Sequence, residues 1–308
     1  MAQLKIAILG ASGIGRFHFR EFARAGVKVT AILGSSYETA ERTAVMLSSE
    51  FGLRPKAYSE LGVLIEAERP DAASVCTPPE LHYDQVKMCL AAGLHVLCEK
   101  PFVLNSDGDA SGLATELVRL AKKRGRVITV NTQWPSVLRY VQPFVDVSKI
   151  RDFFMYTQPG VRGAGMLRDN PPHANSMLVK LVPDGRAEGI EFRVSSPEEM
   201  DVNFEYRARG SRCAVRYKFK FKAARPRDLE FSINGVAFKR HIGEGYRQKL
   251  VTGKTEIDIE DPFKTSIGMF VGAIEGRSSP LISTQEIIEN VRLQDRIIKA
   301  YVAEKGKQ

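Results

Sequence analysis

The 308-residue sequence has no apolar stretch near the roughly 20 residues that a membrane-crossing helix needs, so an integral membrane protein is not expected. Cysteine is scarce and unpatterned. None of Cys76, Cys89, Cys98 and Cys213 forms a Cys-x-x-Cys pair, and Cys76, Cys89 and Cys98 fall in segments that read as strand or helix. They read as reduced core thiols, and neither a metal nor a disulfide is expected. The amino terminus enters a short strand with no n-, h- and c-regions of a signal peptide, which predicts a cytoplasmic chain. No internal repeat and no low-complexity linker is visible. The formal net charge is +9, yet the lysines and arginines are scattered and no nucleic-acid recognition module accompanies them. The excess therefore reads as a basic surface, with or without a pocket for anions, and a nucleic-acid partner is not expected.

What is present is alternation. The length exceeds what one hydrophobic core usually holds, and the pattern changes near residue 130, so two domains are expected, 1–130 and 131–308. In the first, apolar runs at Lys5–Leu9, Lys28–Leu33, Ala72–Cys76, Leu94–Cys98 and Arg126–Val130 alternate with helical patterns at Ile14–Ala25, Glu38–Glu50, Leu81–Ala92 and Ser111–Arg124. Strand followed by helix, repeated, predicts an α/β fold with a doubly wound parallel sheet of the Rossmann type. The second domain is richer in strands: Asp152–Thr157, Ile190–Ser195, Asp201–Arg209, Ala214–Lys222, Leu229–Ile233 and Ala237–His241, with a hairpin signal at Asn234-Gly235. Helices are expected at Pro172–Leu181, Asp261–Glu275 and Thr284–Ala300, which makes an α+β domain on a mostly antiparallel, open sheet. Tyr217–Lys222 alternates aromatic with basic residues, as a half-buried strand with lysines on its wet face does. That sheet is also the expected surface for a homodimer or homotetramer.

Gly10, Ser12 and Gly15 occupy the glycine positions of G-x-G-x-x-G between a strand and a helix, with Gly13 and Ile14 completing the loop. Such a turn lets backbone approach a pyrophosphate at a helix amino terminus, so a dinucleotide is expected. At the end of the next strand, where an NAD site usually offers an acid to the ribose, the chain reads Ile32-Leu33-Gly34-Ser35-Ser36-Tyr37, with Arg42 about one helical turn on. Hydroxyls and a guanidinium suit a 2′-phosphate, so NADP is favoured, with NAD as the alternative. The competing role for Ser35 and Ser36 is to cap the next helix.

Glu99-Lys100-Pro101 closes the run Leu94–Cys98 and puts a lysine at the carboxyl edge of the sheet, where open parallel sheets bind ligands. Together, Gly10…Gly15-Arg16-Phe17-His18, Cys76-Thr-Pro-Pro-Glu-Leu-His82, Ala92-Gly-Leu-His-Val-Leu-Cys-Glu-Lys-Pro101 and the carboxyl-terminal Pro262-Phe…Gln294-Asp295 resemble the glucose-fructose oxidoreductase / inositol dehydrogenase / rhizopine catabolism (Gfo/Idh/MocA) family over essentially the whole chain. The resemblance implies a nicotinamide cofactor, Thr77 and Pro78 beside its ribose, Glu99 and Lys100 at the reacting end, and an Asp-x-x-x-His element that Asp169-Asn-Pro-Pro-His173 fits. His82 is grouped with the cofactor-contacting segment, although it competes with packing or capping, which is the role read for His18. Two departures stand out. Pro171 replaces a small residue, which predicts non-helical Asn170 and Pro171 with His173 in the first turn of the following helix. Asn131-Thr-Gln-Trp134 replaces the arginine-containing segment common in sugar-oxidising members.

The expected reaction is hydride transfer between nicotinamide C4 and a carbinol, carbonyl or imine carbon of a small molecule, with NADP(H) and reduction favoured. Lys100 would hydrogen-bond the reacting heteroatom, His173 would move the proton, and Asp169 would orient His173 or bind a substrate hydroxyl. A helix amino terminus disfavours the imidazolium and so suits a base. Gln133, Trp134 and Arg168 are expected to line the substrate pocket. Two alternatives remain, a non-catalytic NADP-binding sensor or scaffold of the same fold and an NAD-dependent sugar or polyol dehydrogenase. A short-chain dehydrogenase is set aside, because its Tyr-x-x-x-Lys motif occurs only at Tyr301–Lys305, far too late in the chain.

Overall fold

A computed structural model describes residues 3–104 and 109–306. The chain divides into two compact units, one made of residues up to Asn131 with Phe263–Ile287, the other of Thr132–Pro262 with the residues from Ile288 on.

In the first unit, β1 (Lys5–Leu9), α1 (Gly15–Arg24), β2 (Lys28–Leu33), α2 (Tyr37–Phe51), β3 (Lys56–Tyr58), α3 (Leu61–Glu68), β4 (Ala72–Val75), α4 (His82–Ala91), β5 (His95–Cys98), α5 (Ala110–Arg124) and β6 (Ile128–Val130) follow one another. The strands pair in parallel, in the order β3-β2-β1-β4-β5-β6. This is a Rossmann fold, and its order reverses between β1 and β4, where such sheets open a crevice. Strands covered on both faces read as continuous apolar runs. Ile6, Ala7, Ile8 and Leu9 of β1 are accordingly fully buried. The pair β3 and α3 escapes a sequence reading because a strand of three half-polar residues has no period to detect.

The second unit contains α6 (Leu138–Val141), β7 (Asp152–Thr157), α7 (Gly165–Asp169), α8 (Pro171–Leu181), β8 (Arg186–Ser196), β9 (Glu199–Ala208), β10 (Ser211–Lys220), β11 (Leu229–Ile233), β12 (Val236–Ile242), β13 (Gln248–Thr252) and β14 (Thr255–Ile259). Two further helices, α9 (Pro262–Ile274) and α10 (Thr284–Lys305), end the chain. The eight-stranded sheet runs β14-β13-β12-β11-β7-β10-β9-β8 and is antiparallel except for β7 with β10. Along β10 the alternation is as expected: Cys213, Val215, Tyr217 and Phe219 are buried while Arg212, Arg216 and Lys220 are exposed. The Asn234-Gly235 turn joins β11 to β12 with both residues at positive φ, 51° and 79°, which two-residue hairpins demand.

Four expectations need correction. Residues 263–287 do not stay with the second unit, because Ile267, Phe270 and Val271 share a hydrophobic cluster with Ile6, Ile8, Phe19 and Phe22. Strand β8 starts at Arg186 rather than Ile190; Gly189 at φ 61° and a register shift between Glu188 and Glu191 break the alternation that a strand reading relies on. The β13–β14 hairpin was not expected, since its polar exposed positions hide the period. Asn170 lies in the helical region (φ −100°, ψ −36°) and Pro171 opens α8, so neither is non-helical. Proline suits that first position, where no N–H is needed, and His173 does sit in the helix's first turn.

Candidate functional site

The glycine turn is shaped by close approach of backbone. Gly10 has φ 83°, and a Cβ there would lie 2.8 Å from the Cys76 carbonyl oxygen. A Cβ on Gly15 would run into the Gly10 carbonyl and sit 3.2 Å from Cys76 Cβ. Gly13 is the opposite case, with nothing within 4 Å of where its Cβ would be. Ser12 and Gly13 are exposed, no side chain caps the amino terminus of α1, and its first turn carries no acid. An open loop leading into an uncapped, electropositive helix end fits a pyrophosphate.

At the end of β2, a Cβ on Gly34 would lie 2.7 Å from the Ala40 amide nitrogen, so glycine is what lets α2 start this close. Ser36 is the N-cap of α2, accepting a 3.2 Å hydrogen bond from the Thr39 amide. The capping role thus takes its hydroxyl. Ser35 and Arg42 are exposed.

The Glu99-Lys100 pair splits. Lys100 is half-buried at the carboxyl end of β5, whereas Glu99 turns inward and is 7% exposed. His18 Nε2 donates to Glu99 Oε1 across 2.8 Å, and Asn131 Nδ2 donates to the same oxygen at 2.6 Å. The other ring nitrogen of His18 lies 2.9 Å from Ser74 Oγ, which is in turn 3.5 Å from Cys76 Sγ. Phe263 covers the imidazole edge-on at 5.0 Å. Burial alone would push the His18 pKa down; the adjoining Cys76 thiol and Glu99 carboxylate overcome this and raise it to about 10. Burial would likewise raise Glu99, but the hydrogen bonds and charge of His18, with Asn131 and Lys100, hold it at about 2. A buried ion pair therefore links α1, β5 and the end of β6. Sequence reading placed Glu99 at the reacting end and His18 in plain packing; no local signal joins residues 81 positions apart.

Thr77 and Pro78 follow β4, with Thr77 Oγ1 donating to Gln85 Oε1 at 2.6 Å. His82, expected in the cofactor-contacting segment or in packing, faces inward. It is fully buried, and its ring nitrogens sit 2.9 Å from the carbonyl oxygens of Pro101 and Thr77, so it ties the lysine turn to the Thr77 loop.

In the second unit, α7 runs through Asn170 into α8. Asp169, which accepts from Asn170 Nδ2 at 3.2 Å, and His173 are both half-buried. Side chains of α10 hold this turn: Gln294 Nε2 donates to the Arg168 carbonyl at 3.0 Å and Asn290 Nδ2 to that of Pro172 at 2.8 Å. Trp134 is buried at the start of a short 3-10 turn, Gln133 is half-buried and Arg168 is exposed. Among the described residues no group of histidine, cysteine and carboxylate side chains is arranged to hold a metal ion, and no helix is long and apolar enough to cross a membrane.

Residues 4–132 match the oxidoreductase family with an NAD-binding Rossmann fold, Gfo/Idh/MocA. A curated relative, the UDP-N-acetylglucosamine 3-dehydrogenase of Acidithiobacillus ferrooxidans, is 28% identical over 130 residues, 42% of this chain and 37% of that protein. The D-glucoside 3-dehydrogenase of Escherichia coli is 29% identical over 127 residues, 41% of this chain and 33% of that protein. The chain thus aligns with little more than a third of the length of these relatives. Solved structures share the whole fold. The Acidithiobacillus enzyme superposes with a TM-score of 0.73 at 16% identity, covering 97% of this chain and 98% of that one. KijD10, a 3-ketoreductase from Actinomadura kijaniata in complex with TDP-benzene and NADP, gives 0.72 at 19% identity, with 96% of each chain covered.

Proposed function

We propose, starting from an amino-terminal domain that belongs to the Gfo/Idh/MocA oxidoreductase family, that the chain is an NADP(H)-dependent oxidoreductase acting on a carbonyl or imine carbon of a small molecule, in the reductive direction. The observation that carries this reading is the glycine turn: Gly10 and Gly15 are dictated by backbone contact, and beyond them the end of α1 is open and uncapped. The dehydrogenase and ketoreductase names of its relatives support an enzyme over a sensor. Solved structures of this fold include complexes with NADP and with NAD, so the fold admits both. Preference for NADP(H) rests on Ser35, Arg42 and the absence of an acid at the end of β2, with Ser36 contributing through the start of α2.

Gly10, Ser12, Gly13, Ile14 and Gly15 hold the pyrophosphate, and Thr77 and Pro78 border the ribose. Bound there, NADP(H) supplies or accepts the hydride. Lys100 donates an N–H to the reacting heteroatom and stabilises the charge that develops on it. His173 moves the proton, Asp169 orients it, and Gln133, Trp134 and Arg168 border the substrate. Glu99 does not join them; it fixes the backbone from which Lys100 projects, accepting the Lys100 amide at 3.3 Å. The sheet of the second unit is the surface proposed for homodimer or homotetramer formation.

The test is Lys100→Met against a panel of ketones, imines and nucleotide-linked sugars. The proposal expects NADPH affinity to stay within a few-fold while turnover falls by at least two orders of magnitude, the usual scale for removing a positioned acid or donor. Tight NADPH binding with no turnover on any substrate by the unmodified chain would return the reading to a sensor.

A further inference from the structure

The loop between β10 and β11 carries Arg225 and Arg227, and a third arginine, Arg240 of β12, lies over the ring of the chain's single tryptophan. Arg227 turns inward, donating from Nε to the Lys222 carbonyl at 2.9 Å and from Nη2 to that of Ala223 at 3.2 Å. Its guanidinium fills the space where a Cβ on Gly160 would stand, so the loop closes on it only because residue 160 is glycine. Arg240, from β12, donates to the Arg227 carbonyl and lies over the Trp134 ring, 5.1 Å from its centroid. Trp134 itself is 5% exposed. Arg225, two residues before Arg227, is exposed.

These guanidiniums lie within electrostatic range of one another. Asp169 acts electrostatically on Arg227, and Asp228 and Asp261 on Arg240, but in both cases the net effect of burial and of Arg225 prevails. Burial lowers the pKa of Arg240, and the positive charge of Arg225 adds to that, against the opposing pull of Tyr246, Asp228 and Asp261. Arg227 is lowered for the same reasons, burial first and Arg225 second, with Asp169 opposing. Two half-buried guanidiniums and an exposed third that repel one another carry a cost that a bound oxyanion relieves. A structural role for Arg240 would need only its stacking on Trp134 and one hydrogen bond, and would not explain Arg225.

A guanidinium matches phosphate and carboxylate oxygens with paired N–H donors. We infer that Arg225, Arg227 and Arg240 form an oxyanion-recognition site beside Trp134, taking a phosphate or carboxylate group carried by the substrate. Arg240 and Arg225 supply the N–H donors. Arg227, whose Nε and Nη2 are held by carbonyls, supplies charge and shapes the loop. The inference deepens the proposed oxidoreductase reading and rests on it for the word substrate, but the site itself is a property of the second unit alone.

The indole N–H of Trp134 gives a single 15N resonance, so it reports this site without any need for turnover. The full chain is titrated with inorganic phosphate, pyrophosphate or malonate, once alone and once with saturating NADP+ so that the glycine turn is already filled, with chloride matching the ionic strength. The expected result is a saturable shift of the Trp134 resonance that survives NADP+, and that weakens by roughly tenfold or more in Arg225→Ala and Arg240→Lys. Arg225→Ala is an exposed change, so its loss of binding cannot be put down to misfolding. Response to phosphate or pyrophosphate but not malonate assigns a phosphorylated substrate, and the reverse assigns a carboxylate; either supports the site. No saturable shift with any of the anions, a shift that chloride reproduces, or undiminished binding in both variants overturns it. A saturable shift in a chain that binds neither NADPH nor NADH would sink the redox reading and leave the anion site standing.

Discussion

Replacing His18 with leucine offers the sharpest test of the inward-facing network. The imidazole is fully buried and the Glu99 side chain is 9% exposed, so the substitution strands a carboxylate away from water. Asn131 and the Lys100 amide still reach it, at 2.6 Å and 3.3 Å, but neither brings a full charge. Removing one partner of a buried ion pair typically destabilises by about 3–5 kcal/mol, and the retained Asn131 bond puts this case near the lower end. If the loss comes from the uncompensated charge, Glu99→Leu made in the same chain should restore most of it. A double-mutant cycle should then give a coupling of about 2 kcal/mol or more, well above the ~0.5 kcal/mol scatter of independent sites. Trp134 lies in the other unit and is the wrong probe, so the assay is native-state hydrogen exchange at the amides of β1, β4 and β5. A loss of about 3 kcal/mol speeds exchange there by roughly two decades. Additive single changes, or a His18→Leu effect below about 1 kcal/mol, would falsify the claim that the pair is buried and charged.

His18 and Glu99, with Cys76 beside the imidazole, dictate a pH profile. His18 is raised from an ordinary 6.5 to about 10, so its contribution is complete below 6.5 and drains as pH rises toward 10. Glu99 is lowered from 4.5 to about 2, so its contribution is complete above 4.5 and drains as pH falls toward 2. Exchange protection in β4 and β5 should be greatest between those ordinary values and fall toward pH 10; an unchanged fall in His18→Leu would assign it to other groups. Gly10→Ala combines a left-handed φ of 83° with a Cβ only 2.8 Å from the Cys76 carbonyl. It should destabilise the first unit by about 1–3 kcal/mol and weaken NADPH binding, leaving the Trp134 unfolding signal of the second unit in place. For Arg42→Ala, the Michaelis constant for NADPH should rise several-fold while that for NADH hardly moves, and equal changes would refute the 2′-phosphate role.

What the sequence made legible follows from period and punctuation. The buried parallel strands, the Gly10–Gly15 turn and the Asn234-Gly235 hairpin each declare themselves within a few residues, because a continuous apolar run or a positive φ is a local demand. Long-range closure does not. Phe263, Ile267 and Phe270 sit on an amphipathic helix whose pattern says that a face is buried, but not in which unit. Likewise Gly189 bends β8 out of the period that would have marked its start. Pro171 does not push Asn170 out of helical space, because a proline disfavours helix in the residue before it only statistically. Asn170 keeps a helical ψ of −36° here, and its amide is bonded to the Met166 carbonyl at 3.2 Å.

The candidate site shows the same divide between local and long-range information, and it changes how a motif should be interpreted. Glu99, Lys100 and His82 look equivalent in sequence, polar residues beside a sheet edge. A carboxylate and an imidazole that turn inward need partners from elsewhere in the chain, and those partners, His18 and Asn131 for Glu99 and the Thr77 and Pro101 carbonyls for His82, decide the orientation. Once Glu99 is committed to His18, the strand end is fixed from behind and Lys100 alone of the pair remains half-exposed at the edge. Polar residues in such a motif therefore divide into those that meet a ligand and those that hold the first kind still, and buried hydrogen-bond partners, rather than residue type, separate them.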